Sequence, residues 1–398
     1  MRLRFDIVGC VAALALAAVT TETAYAQWTV VNLHPAGATY SEARGVSDTQ
    51  QTGWARFGSH ERAGMWTGTG ASWVELHPAA SVASEAHGVS GTQQVGRAVV
   101  SSAYHASLWS GTAASWEDMN PAGAASSEAY GGTGTHQVGM ARVGGVTRAS
   151  LWSGTASSWT DLHPAAASSS EARGVFGAQQ AGAAAIDGLY HASLWSGTAA
   201  SWVDLHPAGP WFFSIANATS GTQQVGLVYS TMSATYASLW SGTAASWVDL
   251  NPSGAFASEA FGAFGALQVG DASVGGVPGA SLWSGTAASW VDLHQYLPGG
   301  PGAWDRSHAQ GVWTDGSAIY VVGYGFHHAR FRGEALMWVY TPPSCPADFN
   351  GDGFVNGDDY DSFAELFDIA DPGADFNGDG FVNGDDYDAF ASAFDGGC

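Results

Sequence analysis

The chain is expected to be all-β: a seven-bladed β-propeller closed by its N-terminal strand, followed by a small α-helical C-terminal domain. Three observations predict this. A phrase with a period of 43 residues recurs from about residue 41 to residue 340, and each copy holds four short segments of strand character. The series also begins with one segment too many and ends with one too few.

The first 26 residues have a basic start, an apolar stretch from about Ile7 to Val19 and an Ala-Tyr-Ala ending before Gln27, the pattern of an export signal. A lipid anchor on Cys10 is the other reading, but only nine residues precede that cysteine and Asp6 interrupts them. No other apolar run approaches the roughly 20 residues of a membrane-spanning helix. The expected product is therefore secreted or held at the cell surface, with no membrane span.

The repeat reads ASLWSGTAASWVDLHPAGA, then SEAxGV, then GTQQVGxA. Trp66, Trp109, Trp152, Trp195, Trp240 and Trp283 mark one position; Trp73, Trp116, Trp159, Trp202, Trp247 and Trp290 mark another. Tryptophans copied at a fixed period are expected to be core residues. The segments SEAxGV, QQVGxAxV, ASLWSG and SWVDLHP are separated by Gly, Ser, Thr or Pro clusters, so each unit should be a four-stranded blade. Full blades are expected at about 41–78, 84–121, 127–164, 170–207, 214–252 and 258–294. The seventh stops after three strands, near residues 307, 318 and 334, while residues 30–35 (VVNLHP) match WVELHP one period later. The N-terminal strand can therefore complete the last blade, and a closed ring removes exposed strand edges. The unit resembles the extracellular HAF-type repeat, whose final segment appears here as HASLW at 105–109 and 191–195. That resemblance implies an extracellular propeller-like protein and assigns no activity.

The last fifty residues contain one fifteen-residue string twice, ADFNGDGFVNGDDYD, at 347–361 and again at 374–388. In the first copy Asp348, Asn350, Asp352, Phe354 (through its carbonyl), Asn356 and Asp359 take loop positions 1, 3, 5, 7, 9 and 12, with Gly353 at position 6. The second uses Asp375, Asn377, Asp379, Phe381, Asn383 and Asp386. Alternate short oxygen donors around a glycine turn are what a hard cation such as calcium requires, and two ions are expected. A helix should follow each loop, since Tyr360, Phe363 and Phe367, and likewise Tyr387, Phe390 and Phe394, recur at helical spacing. No helix is expected before either loop. A duplicated half EF-hand with Asp at position 12 resembles a type I dockerin over about 345–398. The resemblance implies a calcium-folded module that docks onto a cohesin-like or cell-surface protein, often in polysaccharide-degrading assemblies. The positions that set partner choice in that family hold Gly357, Asp358, Gly384 and Asp385 here.

Cys345 and Cys398 bracket this module and are expected to form a disulfide in an oxidising compartment, worth about 3 to 4 kcal/mol in the chain-entropy model. Zinc is disfavoured because no paired Cys or His lies at ligand spacing nearby. The domains are thus expected at 1–26, 27–340 and 345–398, with 341–344 as linker. Net charge is −23, all twelve basic residues are arginine, and from residue 345 onward there are fourteen acids and no base. Such a chain repels nucleic acid.

Three sets of residues are candidates for binding. Glu42, Glu85, Glu128, Glu171 and Glu259 should form a partial ring near one mouth of the propeller, with Ile215 and His308 in the other two positions. His34, His77, His163, His206 and His294, with Asn120 and Asn251, are spread around the rim and are expected to be hydrogen-bonding loop residues. Trp211 and Phe212 enter blade five, and Tyr296, Trp304 and Asp305 enter blade seven. Exposed aromatics beside an acid suit stacking on a sugar face, so a glycan or peptide site is expected there. The one-off acids Asp187, Asp271 and Asp305 have no partner identifiable in the sequence, and there is no nucleophile elbow, P-loop or dinucleotide fingerprint. The expected function is a non-enzymatic scaffold or ligand-binding propeller tethered by its tail. The alternative is a carbohydrate-binding component or glycoside hydrolase, the latter requiring two carboxylates at a set separation.

Overall fold

In the computed structural model the described residues are 27–230, 234–342, 345–351 and 354–396. The expected export signal, residues 1–26, lies outside them. The chain divides into two compact units, a propeller over Trp28–Thr341 and a second unit that includes Pro342–Cys398.

The propeller consists of seven four-stranded sheets. In blade one the strands are Tyr40–Ser47, Gln50–Phe57, His60–Trp66 and the two-residue Val74–Glu75, in spatial order. Blades two to six repeat this plan. The fourth strand is shorter than the sequence pattern suggests, because a 3₁₀ turn such as Ala113–Ser115 takes up the Ala-Ala-Ser preceding it. In blade seven, Trp304–Thr314, Ile319–His327 and Arg332–Thr341 are joined in one sheet by the N-terminal strand Gln27–Asn32, which lies beside Arg332–Thr341. There Asn32 Nδ2 donates to the buried Glu334 carboxylate at 2.6 Å. Arg330 and Arg332 neutralise the same carboxylate at 2.9 and 2.8 Å.

Hydrophobic clusters sit between blades. Ala63 and Leu76 of blade one pack with Ala86 and Trp109 of blade two, and Leu33, Ala335 and Met337 pack with Ala43 and Trp66 where blade seven meets blade one. The first set of tryptophans is fully buried, as expected, and so is Trp338. The second set is only half-buried. In blades two to six its indole N–H groups donate to third-strand serines, as from Trp116 to Ser107 at 2.9 Å; in blade one Gly64 stands where that serine would be.

Each junction carries a hydrogen-bonded serine from the inner strand. The Ser84 hydroxyl accepts from the Ala63 amide of the preceding blade at 3.0 Å and lies 2.8 Å from His77 Nδ1. The same pair of contacts recurs at Ser41, Ser170, Ser214 and Ser307 with His34, His163, His206 and His294. Asn120 and Asn251 take the histidine's place as acceptors for Ser127 and Ser258. In His34 and His294 Nε2 faces a backbone carbonyl, of Ala38 at 3.0 Å and Pro301 at 3.3 Å, so the neutral ring carries its hydrogen on Nε2 and Nδ1 accepts from the serine. Burial lowers the pKa of these histidines, which keeps them in the neutral form this requires.

Every inner strand carries a β-bulge after the conserved-phrase alanine, as between Ala43 and Gly45 and between Ala129 and Gly131. Opposite the bulge, the second strand presents a glycine. A Cβ on Gly139 would lie 1.8 Å from the Glu128 carbonyl oxygen, and all seven equivalent glycines face the same obstruction at 1.8 to 2.0 Å.

Gly139→Ala is expected to cost about 3 kcal/mol or more, because backbone must shift rather than a side chain; the midpoint of urea unfolding measures this. His163→Asn should change stability by less than about 0.5 kcal/mol, whereas His163→Ala should cost about 1–3 kcal/mol by leaving the Ser170 hydroxyl without its acceptor.

Candidate functional site: the central channel and the tail loops

The inner strands surround a cavity of about 630 Å³. Its wall is formed at the bulges by Arg44, His87, Tyr130, Arg173, Asn217, Phe261 and Gln310, with the glycines that follow them where neighbouring strands come close. A Cβ on Gly88 would lie 3.5 Å from the Gly131 Cα, and one on Gly311 would lie 3.5 Å from the Gly45 Cα. Small residues here follow from crowding, as the sequence suggests.

The ring glutamates are half-buried, Glu128 more deeply, and are held by wall side chains that include Arg97. Arg44 contacts Glu42 at 3.2 Å and Glu85 at 3.3 Å, and Arg97 contacts Glu85 at 2.6 Å and Glu128 at 2.9 Å. Burial pushes the Glu85 carboxyl up, but the His87 hydrogen bond and both guanidiniums hold it well below the usual carboxylate range. Arg173 binds Glu171 at 2.6 Å and donates to Asn217 at 2.8 Å, and Asn217 in turn donates to Glu259 at 2.9 Å. His87 bridges two blades, with Nε2 3.4 Å from the Glu85 carboxylate and Nδ1 3.0 Å from the Ala129 carbonyl of the next blade, and burial lowers the imidazole's pKa. The glutamates therefore belong to two hydrogen-bonded chains, Glu42 to Glu128 and Glu171 to Glu259, rather than a bare acidic ring.

Glu259 differs from the others. Among the described residues no arginine contacts it, and burial pushes its carboxyl up to about 7 despite the Asn217 hydrogen bond. Asp271 lies directly across the strand pair from it and adds to the rise. Asp271 itself pairs with His308, the residue that stands in the glutamate position of blade seven. Asp305 pairs with His328 at 2.8 Å, and Asp187 occupies a turn with φ of +51°. The expectation that these acids lack partners is thus corrected for Asp271 and Asp305, whose histidines are distant in sequence.

The aromatic candidates do not assemble into a site. Trp304 is only 4% exposed, packed in the core with its N–H donated to the Pro298 carbonyl at 3.0 Å. It is not available for stacking on a sugar, which corrects that expectation. Trp211 is half-buried against Trp247 at 5.0 Å, and Phe212 is exposed beside Phe213 and Tyr229. Tyr296 is exposed next to Trp28, at 6.1 Å. The ring contacts of the blade-five group never reach those of the blade-seven group. Asp305, with its carboxylate held by His328, completes no site with them.

In the tail, helix α1 (Gly357–Asp368) and helix α2 (Gly384–Gly396) each follow one loop. Asp359 and Asp386 are buried and do the same local work: each accepts from the amides three and nine residues earlier, at 2.9 and 3.1 Å. Burial pushes the Asp359 carboxyl up, but four backbone amides hold it below its ordinary value; for Asp386 those amides are the leading cause of a lowered pKa. In the second loop Asp375 accepts from the Asp379 and Gly380 amides and Asp379 from Phe381, while Asn377 and Asn383 accept from Asp379 and Asp385. Phe354 and Phe381 expose their side chains. Asp348, Asn350 and Asn356 lie in the first loop, and the predicted ligand Asp352 lies outside the described residues. Among the described residues no three His, Cys, Asp or Glu side chains converge as a metal site. The donors of the second loop are all oxygen, a set that suits a hard cation. Phe363 stacks on Phe390 at 4.2 Å and the Tyr360 and Tyr387 hydroxyls are hydrogen-bonded, so the two copies pack on each other. Cys345 is disulfide-bonded; its expected partner, Cys398, lies outside the described residues.

No protein-family model matches the chain, and no curated protein matches it in sequence. Solved structures share the fold. The β-propeller domain of the Trilobed protease from Pyrococcus furiosus, described as having an open velcro topology, is 7% identical with a TM-score of 0.50, covering 76% of this chain and 94% of that one. Puromycin hydrolase is 11% identical with a TM-score of 0.50, covering 80% of this chain and 58% of that one, and its S511A mutant complexed with PGG matches at the same score and 10% identity. This chain therefore spans little more than half the length of puromycin hydrolase. The likeness shows a propeller fold, and it corrects the expectation that the chain is not an enzyme. The matched portion of an enzyme has this fold, so neither the fold nor the lack of familiar motifs excludes catalysis. Among the described residues no helix is long and apolar enough to cross a membrane.

Glu259 gives a pH dependence with a definite sign. Its folded pKa of about 7 lies above the ordinary 4.5, so between those values the folded state binds more protons and stability falls as pH rises. Glu259→Gln should therefore stabilise the protein at pH 8 by an amount of order 1–3 kcal/mol and leave stability at pH 4 nearly unchanged. Thermal unfolding at the two pH values measures the difference.

Proposed function

We propose that this is an exported ligand-binding propeller whose C-terminal module folds around two calcium ions and attaches the protein to an extracellular or surface partner, in the manner of a dockerin. The observation that carries the tail reading is the repetition of one loop geometry: Asp359 and Asp386 hold the amides of positions 3 and 9 in both copies. A loop wound by its own carboxylates keeps oxygen donors on its inside, and fourteen acids without a base need cations to offset their repulsion. In this reading the bond at Cys345 links to Cys398 and clasps the module, and the strand Gln27–Asn32 acts as the clasp of the ring. Export rests on the N-terminal pattern and on a disulfide suited to an oxidising compartment.

A cohesin-like protein is one candidate partner, and a glycan is the alternative occupant of the propeller. The packing of Trp304 weighs against a glycan on the aromatic loops and directs attention to the channel.

Calorimetry on the full chain should find two calcium ions bound, and Asp386→Ala should reduce this to one. A chelator should abolish capture of a partner from the secreted and surface fractions, as should removal of residues 345–398. Absence of calcium binding, or capture that survives both the chelator and the deletion, would refute the attachment reading.

A further inference from the structure

Within the inner strand the phrase SEAxGV recurs from blade to blade with scattered departures, such as Ile215, His308 and Thr219, and diverges most at one place. The x position holds Arg44, His87, Tyr130, Arg173, Asn217, Phe261 and Gln310, six residue types in seven blades. The register shifts show that x is the extra residue of each bulge, for example between Ala43 and Gly45, Ala172 and Gly174, and Ala309 and Gly311. A bulged residue has no ladder partner and is re-aimed out of the pleat. All seven line the cavity of about 630 Å³, a volume in the range of small-molecule sites. The one inner-strand position at which the blades diverge most is thus the position that faces the channel.

We propose that the central channel is a binding site for a neutral, polyhydroxylated ligand, a saccharide, read by these seven bulge residues. It goes beyond the attachment reading and rests on the propeller alone.

The wall chemistry selects this class. The three guanidiniums of the wall, on Arg44, Arg97 and Arg173, are already bound to Glu42, Glu85, Glu128 and Glu171. Their charge is compensated, so an anion gains little, while their planes are held in place and keep further N–H donors and carboxylate lone pairs for a ligand. Gln310 offers an amide that both donates and accepts, as hydroxyl groups do, while Asn217, whose two Nδ2 hydrogens go to Glu259 and the Ala260 carbonyl, keeps acceptor capacity at Oδ1. Tyr130 and Phe261 supply ring faces for the apolar side of a sugar ring.

The test uses the full chain, an array of neutral gluco-, galacto-, manno- and xylo-oligosaccharides, and calorimetry on whatever is retained, with citrate and spermidine as charged comparators. Binding of a saccharide is expected, weakened about tenfold or more by Phe261→Ala and by Gln310→Ala and unchanged by Phe331→Ala on the exposed surface. The thermal midpoints of both channel variants confirm that they fold. The proposal is overturned if no saccharide is retained, if only citrate or spermidine binds, or if folded channel variants bind a saccharide as tightly as the parent. Calcium-dependent capture through the tail, measured in parallel, stays intact in that event, which separates this failure from failure of the attachment reading.

Discussion

The hydrogen bond that every blade junction shares is the one made by an inner-strand serine. Its hydroxyl must accept a backbone amide from the preceding blade and give its own hydrogen to a loop histidine or asparagine, so three separate segments are tied at one buried atom. Ser84 does this between Ala63 and His77, and Ser41 does it between Ala335 and His34 across the meeting of the first and last blades. Hydrophobic packing between sheets is non-directional and would permit sliding. The serine bond fixes the offset of each blade against the next, and a buried donor or acceptor left unmade is costly. The use of Asn120 and Asn251 in two blades shows that the requirement is an acceptor at that point rather than an imidazole.

With the offset set, the inner strands are brought close enough that their geometry is constrained on every side. The bulge pushes a carbonyl, such as that of Glu128, onto the neighbouring strand, where only glycine leaves room. The next residue along, such as Gly131, abuts the following blade. Between these restrictions the bulged residue is the free variable of the inner strand. Its side chain has no structural demand on its size, which is why arginine, tyrosine, phenylalanine and glutamine are all accommodated. The arginines and asparagine then bridge to glutamates, and Glu259, left with an amide instead of a guanidinium, has the carboxyl that burial raises.

The tail obeys a different logic. Its contacts are short-range: each loop is wound by carboxylates accepting amides a few residues away, and a helix follows with its aromatic face inward. Duplication supplies the second half of the core, since Phe363 finds its counterpart Phe390 and Tyr360 finds Tyr387. Neither helix, at 12 and 13 residues, is long enough to be stable alone.

Blade number, blade boundaries, the fully buried tryptophans and the two tail helices were legible in the sequence because repetition exposes any residue that packs the same way in every copy. The histidines' role as loop hydrogen-bonders was legible for the same reason. Their serine partners were not, since a hydroxyl's neighbour across a blade junction has no local signature. The pairing of Asp271 with His308 spans 37 residues and two blades, and the burial of Trp304 depends on the turn formed by Leu297 to Ala303. The column of differing residues at x could have been read from the repeat itself, but its meaning required the bulge that turns those side chains into the channel. Periodicity by itself determined what each blade is, because local pattern dictates strand and turn. Only the tertiary structure decided what faces the centre, because that depends on how seven sheets are offset against one another.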